Sequence, residues 1–189
     1  MSIIVAGAPG AGKTTVLNEA KKIDKKIRIH GAWEYILDEA KKQKIKTSHD
    51  TIRKLPRETW IQLQERAFEE IKHKSEMPLI DTHLAILSEN GYFPGLPENV
   101  LKIIQPKLII LLEADPKDIL ARRKKDKTRQ RSDFGGSTKI LEQQDINRAY
   151  AATCSNKTNA LVKIIVNREG KAKEAAKELI ETIKSVKNT

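Results

Sequence analysis

A glycine-rich stretch near the start of the sequence, GAPGAGKTT at residues 7–15, has residue types and spacing that suit phosphate binding. It fits the pattern G-x-x-x-x-G-K-[ST] and lies between the apolar run IIVA and a stretch of helical character. Glycines let successive backbone N–H groups point inward, and the start of a helix adds its positive dipole end. The pattern predicts a loop that binds the phosphates of ATP or GTP through nine residues: Gly7, Ala8, Pro9, Gly10, Ala11, Gly12, Lys13, Thr14 and Thr15.

The polar residues that could serve this loop follow from its chemistry. We expect Lys13 to reach the β- and γ-phosphates and the Thr14 hydroxyl to bind Mg²⁺. Phosphate oxygens and water would complete the coordination shell of the ion. Asp81 closes the buried run PLID, and ligands gather at the carboxyl ends of parallel strands. It is predicted to hold the same Mg²⁺ through water, with helix capping as the alternative. His83 either contacts an acceptor phosphate or base, or only hydrogen-bonds within its loop.

A basic run over residues 122–131 offers cations for phosphate chemistry. Phosphoryl transfer spreads negative charge over several oxygens, and arginine supplies bidentate contacts to such groups. Arg129 and Arg131 precede a pair of glycines, so residues 127–137 are predicted to form a short lid that closes over the phosphates. A solvated charge run and a nucleic-acid patch are the alternatives.

The elements that must position these residues alternate along the chain. Short apolar runs rich in β-branched residues are typical of strands buried on both faces of a parallel sheet, and amphipathic stretches separate them. The pattern predicts one α/β domain over residues 1–189, doubly wound, with a five-stranded parallel sheet flanked by helices as in P-loop NTPases. Residues 31–75 read as a mostly helical insertion. The predicted strands are residues 3–6, 27–29, 78–80, 108–112 and 162–166.

Composition limits the function classes. The chain has 189 residues with 36 Lys and Arg against 25 Asp and Glu, a net charge of +11 that favours anionic partners or simply a solvated basic face. The single cysteine, Cys154, has no His or Cys at ligand spacing and is predicted to be structural. The longest apolar run is five residues, so we expect no membrane span and a cytoplasmic location. No aromatic residue interrupts the basic run, so we expect no specific nucleic acid partner.

Taken together, the motifs resemble the archaeal-type adenylate kinase family. The loop alone indicates only an NTPase, whereas DTH followed by GYFPGLP and EADP is more specific. The matching segments follow in order over nearly the whole chain: GAPGAGKTT, IRKLP at 52–56, IDTH at 80–83, GYFPGLP at 91–97, LLEADP at 111–116, TRQRSD at 128–133, RAYAAT at 148–153 and VNREG at 166–170.

The resemblance implies transfer of a phosphoryl group from Mg·ATP to AMP, giving two ADP. It implies an acceptor site built from residues 31–75 and, for some members, homotrimers. Arg53 would clamp the acceptor phosphate, with His83 and Gly95 on the same side. Asn167 and Gly170 would lie beside the adenine of ATP. With Lys13, the residues around the transferring phosphoryl would be Arg122, Arg129, Arg131 and Arg148.

Two segments depart from the family pattern, and they leave the acceptor base open. HGAWEYI at 30–36 matches weakly, and LAILSEN at 84–90 lacks an arginine expected in that region. CMP and UMP are alternative acceptors that, like AMP, need no general base because their phosphate is already an anion. An alcohol acceptor would need one, for which Asp81 is the candidate. A different alternative is an ATPase switch in RNA or ribosome assembly.

Overall fold

The computed structural model describes residues 1–48, 51–52, 55–88, 91–125 and 136–187. Strands and helices alternate through most of this part of the chain. The strands are β1 Ser2–Gly7, β2 Ile29–Gly31, β3 Leu79–Asp81, β4 Ala85–Ser88, β5 Gly91–Pro94, β6 Pro106–Glu113 and β7 Leu161–Val166. The helices are α1 Lys13–Ile23, α2 Ala32–Lys42, α3 Arg57–Lys72, α4 Glu98–Ile104, α5 Pro116–Lys125, α6 Ser137–Thr158 and α7 Ala172–Lys187.

The main sheet has five strands in the order β2-β3-β1-β6-β7, and each neighbouring pair is parallel. This confirms the predicted sheet and its flanking helices. The second strand begins at Ile29, where the predicted strand ended, because the chain is still turning after α1. The Ile27 main-chain N–H donates to the Asp24 carbonyl at 3.2 Å.

Helices cover both faces of the sheet. On one face, α1 and α7 bury apolar side chains such as Val16, Leu17 and Leu179 against β1 and β6. On the other face, α3, α4 and α6 contribute Phe68, Val100 and Cys154, respectively. Burial raises the pKa of Cys154 to about 11, and this agrees with a structural role. Among the residues that the structure describes, none of the helices could serve as a membrane span.

The segment between β2 and β3 folds back on itself as a helical lobe. Helices α2 and α3 pack together through buried residues that include Ile36, Ala40, Leu63 and Ala67. This agrees with the helical character predicted for residues 31–75. The antiparallel pair β4–β5, with Ala85 opposite Pro94, follows β3 and was not predicted. Its strands are only four residues each, too short for a clear alternating pattern.

Candidate active site

The glycine-rich loop joins β1, which ends at Gly7, to α1 at the carboxyl end of the sheet. Its bend needs a backbone conformation that side chains disfavour, since φ is 92° at Gly10 and 86° at Gly12. The Ala11 N–H donates to the Ala8 carbonyl at 3.0 Å and closes the turn. The first turn of α1 follows directly, with Thr14 exposed. The predicted strand, loop and helix order is therefore present.

Described side chains from distant parts of the sequence hold the carbonyls of this loop. Arg123 donates from Nε and Nη2 to the Pro9 carbonyl at 3.0 and 2.6 Å. Asn167 Nδ2 donates to the Ala11 carbonyl at 2.8 Å, and Arg122 Nη1 donates to the same oxygen at 3.3 Å. Carbonyls held in this way do not turn toward a phosphate, whose charge they would repel. The loop N–H groups are thereby favoured as its contacts.

Gly12 and Asn167 fit together closely. A Cβ on Gly12 would lie 2.3 Å from Asn167 Nδ2, so a side chain there would push the amide away. Asn167 is only 3% exposed, and its main-chain N–H donates to the Glu113 carbonyl at 2.7 Å. Asn167 is therefore fixed from two sides against the loop. Gly170, also predicted to lie near adenine, is in an exposed turn with φ of 72°.

Lys13 and Asp81 form an ion pair at the mouth of the loop. Parallel pairing of β1 with β3 sets Val5 opposite Asp81 and so carries the carboxylate to the end of β1. The side chains are 14% and 24% exposed, respectively. The helix-capping alternative for Asp81 is wrong, because the next element after it is β4 and not a helix. The structure thus brings together two of the residues predicted from sequence.

The other predicted arginines in the described part of the chain are paired with carboxylates. Arg148 donates from Nε and Nη2 to the two carboxylate oxygens of Glu113, at 2.8 and 2.6 Å. The Glu113 hydrogen bonds raise the pKa of Arg148. Arg122 pairs with Glu169 at 2.8 Å. Of the two carboxylates, only that of Glu113 is deeply buried, with 8% of its side chain exposed, whereas the Glu169 side chain is 63% exposed.

Arg123 is a site residue that the sequence reasoning missed. It is 8% exposed and also donates to Gln143 Oε1 at 3.1 Å. A signal was present in the sequence: Arg123 follows Ile119 by four residues, and residues at that spacing share a helix face. Ile119 is fully buried beside the loop, at 3.0 Å from where a Cβ of Gly10 would lie.

The segment GYFPGLP, predicted to lie on the acceptor side, is fixed over the end of β3. A Cβ on Gly95 would lie 1.9 Å from the His83 carbonyl oxygen, so only glycine permits this approach. The Gly95 N–H donates to the Leu84 carbonyl at 2.7 Å, and Gln64 Nε2 donates to the Gly95 carbonyl at 3.0 Å. His83 and Gly95, predicted to lie on the same side, are in direct contact.

Some of the predicted site residues cannot be placed. Arg53, Arg129 and Arg131 lie outside the described residues, as does the predicted lid at 127–137 except for its last two residues. Of those two, Gly136 precedes α6 and Ser137 begins it.

The protein donors at the mouth of the loop fit a magnesium ion that retains water. Among the described residues, no group of three or more His, Cys, Asp or Glu side chains could hold a metal. One hydroxyl, of Thr14, and one carboxylate, of Asp81, are available instead. Mg²⁺ typically takes one or two protein ligands together with substrate phosphates and waters, so this small donor set suits it.

Comparison with known sequences gives matches over almost the full length. A family model described as "AAA domain" matches residues 6–140. The sequence is 43% identical to the adenylate kinase of Thermoplasma acidophilum, covering 97% of this chain and 98% of the relative. It is 41% identical to that of Thermoplasma volcanium, covering 97% and 100%, and 37% identical to that of Methanopyrus kandleri, covering 97% and 98%.

Solved structures share the fold at much lower identity. Shikimate kinase from Acinetobacter baumannii, in complex with shikimate, aligns with a TM-score of 0.61 and 15% identity over 97% of this chain and 93% of that one. Shikimate kinase from Bacteroides thetaiotaomicron aligns with a TM-score of 0.58 and 17% identity over 97% and 98%. At these identities the likeness establishes the fold alone.

Proposed function

We propose that this chain, which belongs to the adenylate kinase family, transfers a phosphoryl group from Mg·ATP to AMP and forms two ADP. It is a nucleoside monophosphate kinase, as its full-length relatives indicate. The observation that carries the proposal is the phosphate-binding loop with Lys13 set against Asp81 at the carboxyl end of the sheet. Its N–H groups and Lys13 would hold the β- and γ-phosphates.

The chain's own residues position and neutralise charge in this reaction. An oxygen of the AMP phosphate forms the new bond to the γ-phosphorus, and the bond from that phosphorus to the β-phosphate oxygen breaks. No side-chain base is needed, because the attacking oxygen is already anionic. Lys13 would follow the migrating charge, and Arg148 would exchange Glu113 for a phosphate oxygen.

The magnesium ion is part of the proposal. When bound, it would offset the negative charge of the ATP phosphates. Thr14 would hold it directly and Asp81 through water, in agreement with the small donor set at the mouth of the loop.

The acceptor side supports a nucleotide over an alcohol. An alcohol acceptor would need a base, and Asp81 is the carboxylate proposed for that role. Its ion pair with Lys13 favours the charged carboxylate, and a base would lose that charge when it accepts a proton. Arg53, His83 and Gly95 are proposed to bind the AMP phosphate and ribose side, and the lid at 127–137 to close over both nucleotides. CMP and UMP remain alternative acceptors.

Assembly and location remain predictions. A homotrimer is expected from the family resemblance, and a cytoplasmic location from the sequence. Strand β7 supports self-association, because it is an edge strand whose side chains Leu161 and Val166 are 63% and 50% exposed. Exposed apolar groups on an edge strand favour pairing with another chain.

The proposal is tested by supplying Mg·ATP with one acceptor at a time, AMP, CMP, UMP, GMP or none, and measuring ADP. We expect AMP to be the best acceptor. Replacing Lys13 by Met should lower kcat about 100-fold or more, because one preorganised cation is lost from the transition state. Lys157→Met is a matched control, since Lys157 pairs with Glu98 on the surface.

Two results would contradict this function. Near-normal AMP-dependent activity of Lys13→Met would mean that the loop is not the phosphate site. ADP formation that does not depend on any acceptor would favour the ATPase switch instead.

A further inference from the structure

Aromatic rings gather where the helical lobe meets the end of β3. Trp33, in the first turn of α2, packs on Trp60 of α3 with ring centroids 5.5 Å apart. Trp60 in turn packs edge-to-face on Phe93 of β5, at 6.0 Å. Trp60 is only 6% exposed, whereas Trp33 is half-buried. The indole of Trp33 therefore forms the outer layer of the cluster, with part of its surface open to solvent.

Trp33 also lies next to the phosphate end of the site. Its ring centroid is 6.4 Å from that of His83, with an interplanar angle of 67°. His83 is two residues beyond Asp81, which pairs with Lys13. The backbone that leads to Trp33 starts at the same place, because Gly31 is the register partner of Asp81 on the neighbouring strand. An acceptor phosphate near Lys13 thus leaves the rest of its nucleotide close to Trp33.

We infer that the indole of Trp33 stacks against the base of the acceptor nucleotide and favours purine over pyrimidine acceptors. Aromatic side chains bind bases through their π faces, and a two-ring purine covers more of an indole than a one-ring pyrimidine. Trp33 belongs to HGAWEYI, the segment that departs from the family pattern and leaves base selection open in the sequence. This inference rests on the proposed function and adds the residue that selects its acceptor.

Tryptophan fluorescence can detect the stack. The chain contains two tryptophans, so one substitution leaves Trp33 as the single indole. In Trp60→Phe, Trp33 is the sole indole, and AMP should quench its emission in a saturable way. Ribose 5-phosphate, which has the sugar and phosphate without a base, should not quench it. ADP formation is measured with the same protein. Phosphorylation of AMP without any quenching overturns the stack and leaves the function standing, whereas a native chain that does not phosphorylate AMP overturns both.

Kinetics separate a stack from a packing role. In Trp33→Leu, loss of the aromatic face should raise KM for AMP about 10-fold or more while kcat stays near native. Trp33→Phe keeps an aromatic face and should raise KM less. KM for CMP should rise less than KM for AMP, so the preference for AMP over CMP falls.

The same variants can also contradict the inference. Inhibition by ribose 5-phosphate, competing with AMP, should be equal in the native chain and in Trp33→Leu. If Trp33→Leu weakens the binding of ribose 5-phosphate and of AMP by the same factor, Trp33 only supports the packing of the helical lobe and the inference is wrong. An unchanged KM for AMP would overturn it as well.

Discussion

Replacing Gly12 by Ala should destabilise the glycine-rich loop through two separable effects. With φ of 86°, an alanine at this position carries backbone strain of about 1–2 kcal/mol. Its Cβ would also lie 2.3 Å from Asn167 Nδ2, so the amide must move and its hydrogen bond to the Ala11 carbonyl is lost. A hydrogen bond of this kind contributes about 1 kcal/mol. The free energy of unfolding should therefore fall by about 2–3 kcal/mol.

A second substitution isolates the contact. Asn167→Ala alone removes the same hydrogen bond and should lower the free energy of unfolding by about 1 kcal/mol. In the Gly12→Ala background that bond is already absent, so adding Asn167→Ala should cost almost nothing more. The double-mutant cycle should show a coupling of about 1 kcal/mol, as for residues in contact.

Gly10→Ala is the matched control. Its φ of 92° imposes similar strain, but the nearest atoms to its Cβ belong to Ile119 and Arg123 and not to Asn167. Its effect should therefore add to that of Asn167→Ala. Urea unfolding followed by far-UV circular dichroism measures all five variants, and KM for ATP should rise with Gly12→Ala. If Asn167→Ala costs the same in the native and Gly12→Ala backgrounds, the reasoning fails.

Two further predictions concern Arg148 and His30. Arg148→Met leaves the buried Glu113 carboxylate without its bidentate partner. The free energy of unfolding, measured in urea, should fall by about 1–2 kcal/mol, and the loss is limited because the guanidinium is half-exposed. An equal loss in Asp145→Asn would instead implicate the exposed contact between Arg148 and Asp145. Burial, and to a lesser extent the charge of Lys74, lowers the pKa of His30 in the folded chain. As the pH falls, the unfolded chain therefore binds a proton at this histidine before the folded chain does, and the free energy of unfolding should decrease below a pH of about 6.5. His30→Asn should flatten that part of the stability curve, and an unchanged slope would contradict the assignment.

The sheet and the loop could be predicted because their signals are local. Apolar β-branched runs mark the strands, although the edge strand β7 proves mostly exposed and not buried as predicted, and the glycine, lysine and threonine spacing marks the loop regardless of what packs around it. Asp81 was also predictable, since the end of a parallel strand fixes where its last side chain lies. The short pair β4–β5 was not, because four-residue strands carry little periodic signal.

The partners of the arginines could not be predicted for a different reason. Arg123 meets Pro9 across 114 residues of sequence, and Asn167 meets Ala11 across 156. Which loop carbonyl each of the adjacent Arg122 and Arg123 reaches depends on how α5 is rotated on the sheet. The buried face of α5, marked by Ile119, fixes that rotation. Contacts of this kind follow from tertiary packing and not from residue type.

The ion pairs around the loop have a consequence for how nucleotides bind. Drawing Arg148 toward a phosphate leaves the Glu113 carboxylate, only 8% exposed, without its bidentate partner. Drawing Lys13 toward a phosphate likewise leaves the Asp81 carboxylate, 24% exposed, in need of another cation. Hydrated Mg²⁺ is the cation that arrives with ATP. Under the proposed function, Asp81 would therefore help to hold the metal through water and would not act as a base, in keeping with a nucleotide acceptor.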